Sequence, residues 1–169
     1  LPAEPVPSLL RGFSAPVILE LEEDDGRLAF RMAHDADPCN RWDAAQRYAE
    51  RVVLALAAEA GAPVPAAYVD AMRALLNAHT LDPAFRAQAL ALPGEAYLLE
   101  RMKPADPLAL RAALQRLMRA LGEQLAAEWL AVFDAMQVAG EYRYHPGDAG
   151  RRALANLALR YLAAADNDQ

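Results

Sequence analysis

Three Asp-Pro pairs mark the starts of helices along this chain. They stand at residues 37–38, 82–83 and 106–107. An aspartate before a helix accepts hydrogen bonds from the free backbone N–H groups of the first turn. Proline fits the first helical position because it lacks an N–H that would be unsatisfied there. Since the chain also contains 40 alanines, the strongest helix former, against two serines and one threonine, the sequence predicts a predominantly α-helical protein.

Turn residues and spacing predict the remaining helices. Gly140 is expected to end one long helix that begins after Asp106, and Asp148 is expected to cap the final helix. Further helices are predicted over residues 66–79 and near residues 94–102. The predicted fold class is therefore all-α, an antiparallel array of about seven helices that forms either a bundle or the first turns of an α-solenoid.

The long helix predicted after Asp106 carries a single apolar stripe. Its large apolar residues recur at steps of three and four, which is the spacing of one helix face. The stripe consists of Leu110, Leu114, Leu117, Leu121, Leu125, Trp129, Val132 and Met136. We expect this stripe to form much of the core.

Residues 1–23 differ from the rest of the chain. Four prolines disfavour helix there, and the alternation of apolar side chains over residues 17–22 favours a short β-strand. A lone strand is not stable without partner strands. We therefore divide the chain into an extended or β remnant of a preceding domain, residues 1–23, and a helical domain, residues 24–169. The acidic run at residues 20–25 is interpreted as a solvated linker.

Composition argues against two classes of partner. The net charge is −6, from 17 basic and 23 acidic residues, and Lys103 is the only lysine. Because binding to a phosphate backbone depends on clustered Lys and Arg, we expect no nucleic-acid partner. We also expect no membrane partner, since no apolar run approaches the length of a membrane span. The single cysteine, Cys39, fits a reducing compartment and predicts a cytoplasmic location; we interpret it as a small buried apolar residue.

The histidines and serines show no catalytic pattern. A common catalytic zinc site carries His-Glu-x-x-His on one helix, which brings two imidazoles to one metal ion. His34, His79 and His145 are 45 and 66 residues apart, and none has a His or Cys three or four positions further on. Ser8 and Ser14 lie among prolines, without a Gly-x-Ser-x-Gly elbow. We therefore predict no catalytic, cofactor-binding or metal-binding residue in this chain.

Two polar and aromatic clusters have both a functional and a structural interpretation. Residues 41–43, Arg-Trp-Asp, could face a partner or line a chamber. We favour Trp42 packed in the core and Arg41 paired with a nearby acid. Residues 141–144, Glu-Tyr-Arg-Tyr, could line a groove, but we favour their tyrosines packed onto neighbouring helices.

Four longer stretches resemble one enzyme family. They are Pro-Ser-Leu-Leu-Arg-Gly-Phe-Ser-Ala-Pro-Val at 7–17, Met-Ala-His-Asp-Ala-Asp-Pro-Cys-Asn-Arg-Trp-Asp-Ala-Ala-Gln at 32–46, Leu-Asp-Pro-Ala-Phe at 81–85 and Gly-Arg-Arg-Ala-Leu-Ala-Asn-Leu-Ala-Leu-Arg-Tyr-Leu at 150–162. Through them, essentially the whole chain resembles the bacterial aminopeptidase N family, zinc aminopeptidases of the gluzincin clan. The similarity covers the junction between a small β-sandwich domain and the C-terminal helical domain. Cys39 departs from the family, which usually carries an aromatic residue there.

The resemblance implies a function for a longer parent protein. The parent would remove N-terminal residues from peptides with the help of zinc, and this chain would be a non-catalytic piece that caps the catalytic domain and helps form the substrate chamber. Its partners would be the catalytic and β-sandwich domains of the same parent. No catalytic residue of the family maps onto this sequence, so we expect the chain alone to be inactive and to carry no cofactor. The alternative is a free-standing helical scaffold or adaptor that binds a protein partner in a groove.

Overall fold

The computed structural model describes residues 5–14, 17 and 21–166, and within them the chain is all-α. It contains eight α-helices and no strand in this described part, with one short 3₁₀ turn at Arg11–Phe13. The helices are α1 (Asp25–His34), α2 (Pro38–Ala58), α3 (Ala66–Leu76), α4 (Pro83–Leu90), α5 (Glu95–Arg101), α6 (Pro107–Gln124), α7 (Ala126–Ala135) and α8 (Pro146–Asp166). The predicted fold class is confirmed. The predicted strand falls mainly on residues 18–20, which lie outside the described residues.

The three Asp-Pro pairs begin helices as predicted. The carboxylate of Asp37 accepts from one backbone N–H of the first turn, and those of Asp82 and Asp106 accept from two each, at 2.8–3.2 Å. The predicted cap at Asp148 is wrong, because α8 already begins at Pro146. Asp148 lies instead in the first turn of α8, where the helix dipole favours a negative charge.

Asp106→Ala is expected to lower the free energy of unfolding by about 1 kcal/mol, because two backbone N–H groups at the start of α6 lose their acceptor. Asp106→Asn is expected to cost less, since asparagine caps a helix nearly as well. Chemical denaturation of both variants beside the unaltered chain measures the two losses. Equal losses would show that the negative charge, rather than the cap hydrogen bonds, is responsible.

The long helix predicted after Asp106 is in fact two helices, which is why the structure has eight helices rather than about seven. Leu125 leaves the helical conformation, with φ −120° and ψ 21°, and separates α6 from α7. At this break the indole N–H of Trp129 donates to the carbonyl of Leu121 at 3.2 Å. α7 then ends at Ala135, before Gly140 is reached.

The apolar stripe is nevertheless the core, as predicted. Leu121, Leu125 and Trp129 have no exposed surface, and the stripe stays buried or half-buried across the break to Met136. Two long helices organise the packing: α2 packs against α1, α4 and α6, and α8 packs against α4, α6 and α7. The helices therefore form a compact array around α2 and α8.

Aromatic packing fixes α8 against its neighbours. The rings of Trp129 and Tyr161 stack with their centroids 4.4 Å apart and 10° between their planes. The hydroxyl of Tyr161 donates to the carbonyl of Leu90, at the end of α4, at 2.9 Å. Burial raises the pKa of Tyr161, because a buried phenolate would lose its hydration. α6 approaches the Tyr161 backbone so closely that a Cβ at Gly122 would lie 2.2 Å from its carbonyl oxygen, so this position requires glycine.

Four arginines close the C-terminal ends of helices other than their own. The last carbonyls of an α-helix lack partners within the helix and form the negative end of its dipole. Arg41 donates to Met32 and Ala33 of α1, Arg116 to Glu59 and Ala62 beyond α2, Arg86 to Leu76 of α3, and Arg151 to Ala135 and Gln137 at the end of α7. Each guanidinium satisfies a free carbonyl and places positive charge at the negative end of a helix. Part of the chain's positive charge is thereby used inside the fold.

Candidate functional site

A cleft of about 1040 Å³ lies between the N-terminal segment, α2, α4 and α5. We call it the N-terminal cleft, and the N-terminal segment is residues 5–14. Trp42 and Tyr97 line it and remain 45% and 41% exposed. The hydroxyl of Tyr97 donates to Glu50 at 2.7 Å, and the guanidinium of Arg101 lies 5.2 Å from the centre of the Tyr97 ring. The hydrogen bond to Glu50 is the main reason that the pKa of Tyr97 is raised. The cleft therefore combines exposed aromatic surface with both signs of charge.

The favoured interpretation of residues 41–43 is wrong, because Trp42 is exposed and Arg41 is buried. Trp42 lines the cleft instead of the core. Arg41 is buried and donates to the carbonyls of Met32 and Ala33, and within the described residues it forms no salt bridge with an acid. Burial lowers the pKa of Arg41, and the negative charge of Asp35 partly opposes this effect. Trp42 and Asp43 therefore face the cleft, whereas Arg41 does not.

Two other interpretations of burial are also wrong. Cys39 is exposed in the first turn of α2, at the edge of the N-terminal cleft. Tyr142 and Tyr144, in the loop between α7 and α8, are 75% and 78% exposed and are not buried against the helices. The guanidinium of Arg152, on α8, lies 5.0 Å from the centre of the Tyr142 ring.

Glu23 is buried, which corrects the interpretation of residues 20–25 as a solvated linker at this position; Glu22, Asp24 and Asp25 are exposed, in agreement with it. Both of its carboxylate oxygens lie 2.8 Å from Nη1 of Arg31, and one lies 2.5 Å from Nη1 of Arg47. The side chain of Glu23 has no exposed surface, and that of Arg31 is 6% exposed. Arg31 also lies 3.6 Å from the carboxylate of Asp35. Because buried charges are stable only when paired, this network fixes residue 23 against α1 and α2.

Hydrogen bonds hold the N-terminal segment along the junction of α1 and α2. The hydroxyl of Ser8 donates to Asp35 and accepts from the amide of Asn40, both at 3.0 Å. The backbone N–H of Gly12 donates to Asp37 at 2.8 Å. The φ of this residue is +64°, a backbone conformation that favours glycine. The backbone N–H groups of Asn40 and then Gly12 hold the pKa of the Asp37 carboxyl below its ordinary value. Ser8 is thus part of a structural network.

The histidines are placed at three helix boundaries. His34 is the last residue of α1, where the helix dipole favours a positive charge. His79 follows α3, and His145 immediately precedes α8. Over the part of the chain that the structure describes, no three or more His, Cys, Asp or Glu side chains are grouped so as to hold a metal ion. In the same part, no helix has the length and apolar character needed to cross a membrane.

The eight helices of the described residues form an all-α array. The family model described as a domain of unknown function (DUF3458_C) with ARM repeats matches residues 25–169. The chain belongs to this family.

The chain is similar to several bacterial aminopeptidases. The chain is 40% identical over 164 residues to aminopeptidase N of Escherichia coli strain K12, which covers 95% of the chain and 19% of that relative. It is 38% identical over 167 residues to aminopeptidase N of Caulobacter vibrioides, which covers 97% of the chain and 19% of that relative. The crystal structure of Legionella pneumophila aminopeptidase A in complex with aspartic acid matches 97% of this chain and 20% of that one, with a TM-score of 0.80 and 26% identity. The resemblance to the aminopeptidase N family is thus confirmed, and the chain spans about a fifth of the length of these relatives.

Proposed function

We propose that this chain is a non-catalytic part of the C-terminal helical domain of a zinc aminopeptidase. In this proposal the parent removes N-terminal residues from peptides in the cytoplasm, and its zinc ion is held by a catalytic domain elsewhere in the parent. The chain caps that domain and forms part of the wall of the substrate chamber. The observation that carries the proposal is that nearly the whole chain aligns with only 19% of an aminopeptidase N.

The proposal includes a division of the chain at residues 23 and 24. Residues 1–23 would be the end of a β-sandwich domain, and residues 24–169 would belong to the helical domain. The start of the family match at residue 25 supports this boundary. The hydrogen bonds of Ser8 and Gly12 to the α1–α2 junction would then connect the two domains firmly.

The N-terminal cleft is the surface that we assign to contact with the partner domains of the parent. Trp, Tyr and Arg are the residues most often responsible for binding energy at protein interfaces. Trp42, Tyr97 and Arg101 line this one cleft, and the N-terminal segment forms one of its sides.

We expect the isolated chain to hold no stoichiometric zinc and to leave aminoacyl-anilide substrates intact. The reason is that the sequence lacks a set of three zinc ligands with workable spacing. Elemental analysis of the dialysed chain and a chromogenic anilide assay measure the two properties, and circular dichroism checks that the chain is folded. One tightly held zinc ion per chain, with hydrolysis that chelation abolishes, would contradict the proposal.

A chimera tests the structural role. We expect Escherichia coli aminopeptidase N to keep its peptidase activity when the 164 aligned residues of this chain replace its own. Deletion of the same residues is expected to abolish activity, because the remaining domains lose a packing partner. An active, stable deletion variant would show that this region is dispensable.

The cleft is tested within the same chimera. Trp42→Ala is expected to lower the thermal stability of the chimera more than Leu108→Ala does. Both residues are exposed apolar residues in this chain, Leu108 by 82% and Trp42 by 45%, but only Trp42 lines the cleft. Comparison with the same two variants in the isolated chain separates domain contact from local packing. If Trp42→Ala lowers thermal stability equally in the chimera and in the isolated chain, the cleft is not part of the domain interface.

A further inference from the structure

We propose that the outer face of α7 is the docking surface for another helix of the parent protein. This outer face consists of Ala127, Leu130, Ala131 and Asp134, on the side of α7 opposite the buried Trp129. The inference rests on the proposed function, because the covering helix belongs to the part of the parent that lies outside this chain. It adds to that function a surface distinct from the N-terminal cleft and the kind of helix that fits it.

The first observation is that α7 lacks a polar side. All of its residues except Glu128 and Asp134 are apolar, and a helix that is apolar all round is normally buried. Leu130 is nevertheless 53% exposed, and Ala127 and Ala131 are exposed beside it. Water therefore meets apolar surface on a helix whose composition is that of a buried one.

α6 shows how a solvent-facing helix of this chain is built. Opposite its apolar stripe it exposes Arg111, Gln115 and Glu123. On α7, Glu128 is turned toward α3, where it accepts from Nε of Arg73 at 2.9 Å. Of the four outer-face residues, Asp134 alone is charged. The outer face of α7 is thus suited to contact with protein, whereas the outer side of α6 is suited to contact with water.

The second observation is a groove along one side of the outer face. It lies between α7 and the C-terminal end of α3, has a volume of about 260 Å³, and is walled on α7 by Ala127, Ala131 and Ala135. These alanines are spaced by four residues and form one row of small side chains, so a second helix can approach closely and place larger side chains beside them. We therefore expect Leu, Met or Phe on the partner helix.

The charges around the groove select between two occupants. Arg86 already closes the carbonyl end of α3 through Leu76. Asp70 and Glu128 share one cation, Arg73, so the rim of the groove keeps a net negative charge. Two copies of this chain that met through the face would bring the same negative charge together, which opposes a symmetric pairing. A helix with Lys or Arg along its flank is attracted instead.

The parent protein has the length to supply such a helix. This chain spans 19% of aminopeptidase N of Escherichia coli, and its family is described by ARM repeats. In repeat proteins each repeat contacts its neighbours, and terminal repeats carry a polar outer face. The outer face of α7 has the apolar character of an internal repeat. We therefore assign it to an amphipathic helix of the parent, with large apolar side chains toward the groove and basic ones on its flank.

Cysteine labelling in the isolated chain and in the chimera tests the inference. Leu130→Cys is made in a Cys39→Ala background, and its rate of reaction with iodoacetamide is read by mass spectrometry of the peptide that carries it. We expect the rate in the chimera to be lower by about tenfold or more, because a covered thiol reacts only when the contact opens. Gln115→Cys, on the exposed side of α6, is the matched control and is expected to react at similar rates in both proteins.

Peptidase activity of the same chimera separates this inference from the proposed function. An active chimera in which Leu130→Cys reacts as fast as in the isolated chain would overturn the inference and leave the proposed function standing. An equal slowing of Gln115→Cys would also overturn it, since the protection would not be specific to α7. If the chimera is inactive, the two cysteine substitutions are made at the aligned positions of Escherichia coli aminopeptidase N itself, and the same comparison decides.

Light scattering of the isolated chain tests a second copy as the occupant. We expect a monomer at the concentration used for labelling. A dimer that Leu130→Asp dissociates would assign the outer face to self-association and would overturn the proposal.

Discussion

Glu23→Ala is expected to lower the free energy of unfolding by about 3–5 kcal/mol, the usual cost of removing one partner from a buried ion pair. Glu23 is the acid that Arg31 and Arg47 share, and its side chain is completely buried. Without it, the buried guanidinium of Arg31 keeps, among the described residues, the more distant Asp35 as its counter-charge, at 3.6 Å. The loss should therefore greatly exceed that of an ordinary surface substitution.

Chemical denaturation followed by circular dichroism measures this loss, and Glu22→Ala provides the matched control. Glu22 is the same residue type one position earlier, but it is exposed. Its replacement is expected to change the free energy of unfolding by less than about 0.5 kcal/mol. If the two variants lose equal stability, the buried network contributes nothing beyond an exposed charge.

The helical fold could be predicted from the sequence because its signals are local. An N-cap aspartate acts on backbone groups two or three residues away, and an apolar stripe reports one helix face regardless of the neighbours. This is why the helix starts after Asp37, Asp82 and Asp106 were correct. The break at Leu125 could not be predicted, because Leu is a good helix former and the stripe runs through the break without interruption.

The candidate sites could not be predicted, because they depend on which side of a helix faces a distant element. Trp42 and Tyr97 meet at one cleft although 55 residues separate them, and nothing near either residue indicates the other. Arg41 and Trp42 are neighbours in α2, and successive residues of a helix point about 100° apart, so one must be more exposed than the other. Because tryptophan is the more apolar of the two, Trp42 was predicted to be the buried one. The structure instead buries the arginine, because the end of α1 offers it two carbonyls.

Glu23 shows the same limit. It stands in an acidic run, and acidic runs are usually solvated, so composition alone predicts an exposed side chain. Its partners Arg31 and Arg47 are 8 and 24 residues away, and one of them lies on the next helix. Only the packing of α1 against α2 brings both guanidinium groups to one carboxylate.

Trp129→Ala is expected to destabilise the chain by about 3–5 kcal/mol, the range for replacing a buried aromatic residue by alanine. Trp129 has no exposed surface, stacks on Tyr161 of α8 and donates to Leu121 at the break between α6 and α7. The substitution therefore removes contacts with two helices at once and leaves a cavity between them.

Leu130→Ala is the control for this variant, because Leu130 follows Trp129 on α7 but is 53% exposed. Its replacement should cost much less, since little buried apolar surface is lost. Urea denaturation curves of the two variants should therefore differ mainly in their midpoints, and the Trp129→Ala midpoint should be the lower. If Leu130→Ala proved the more harmful change, the face of α7 that packs on α8 would be assigned wrongly, and with it the core between α6, α7 and α8.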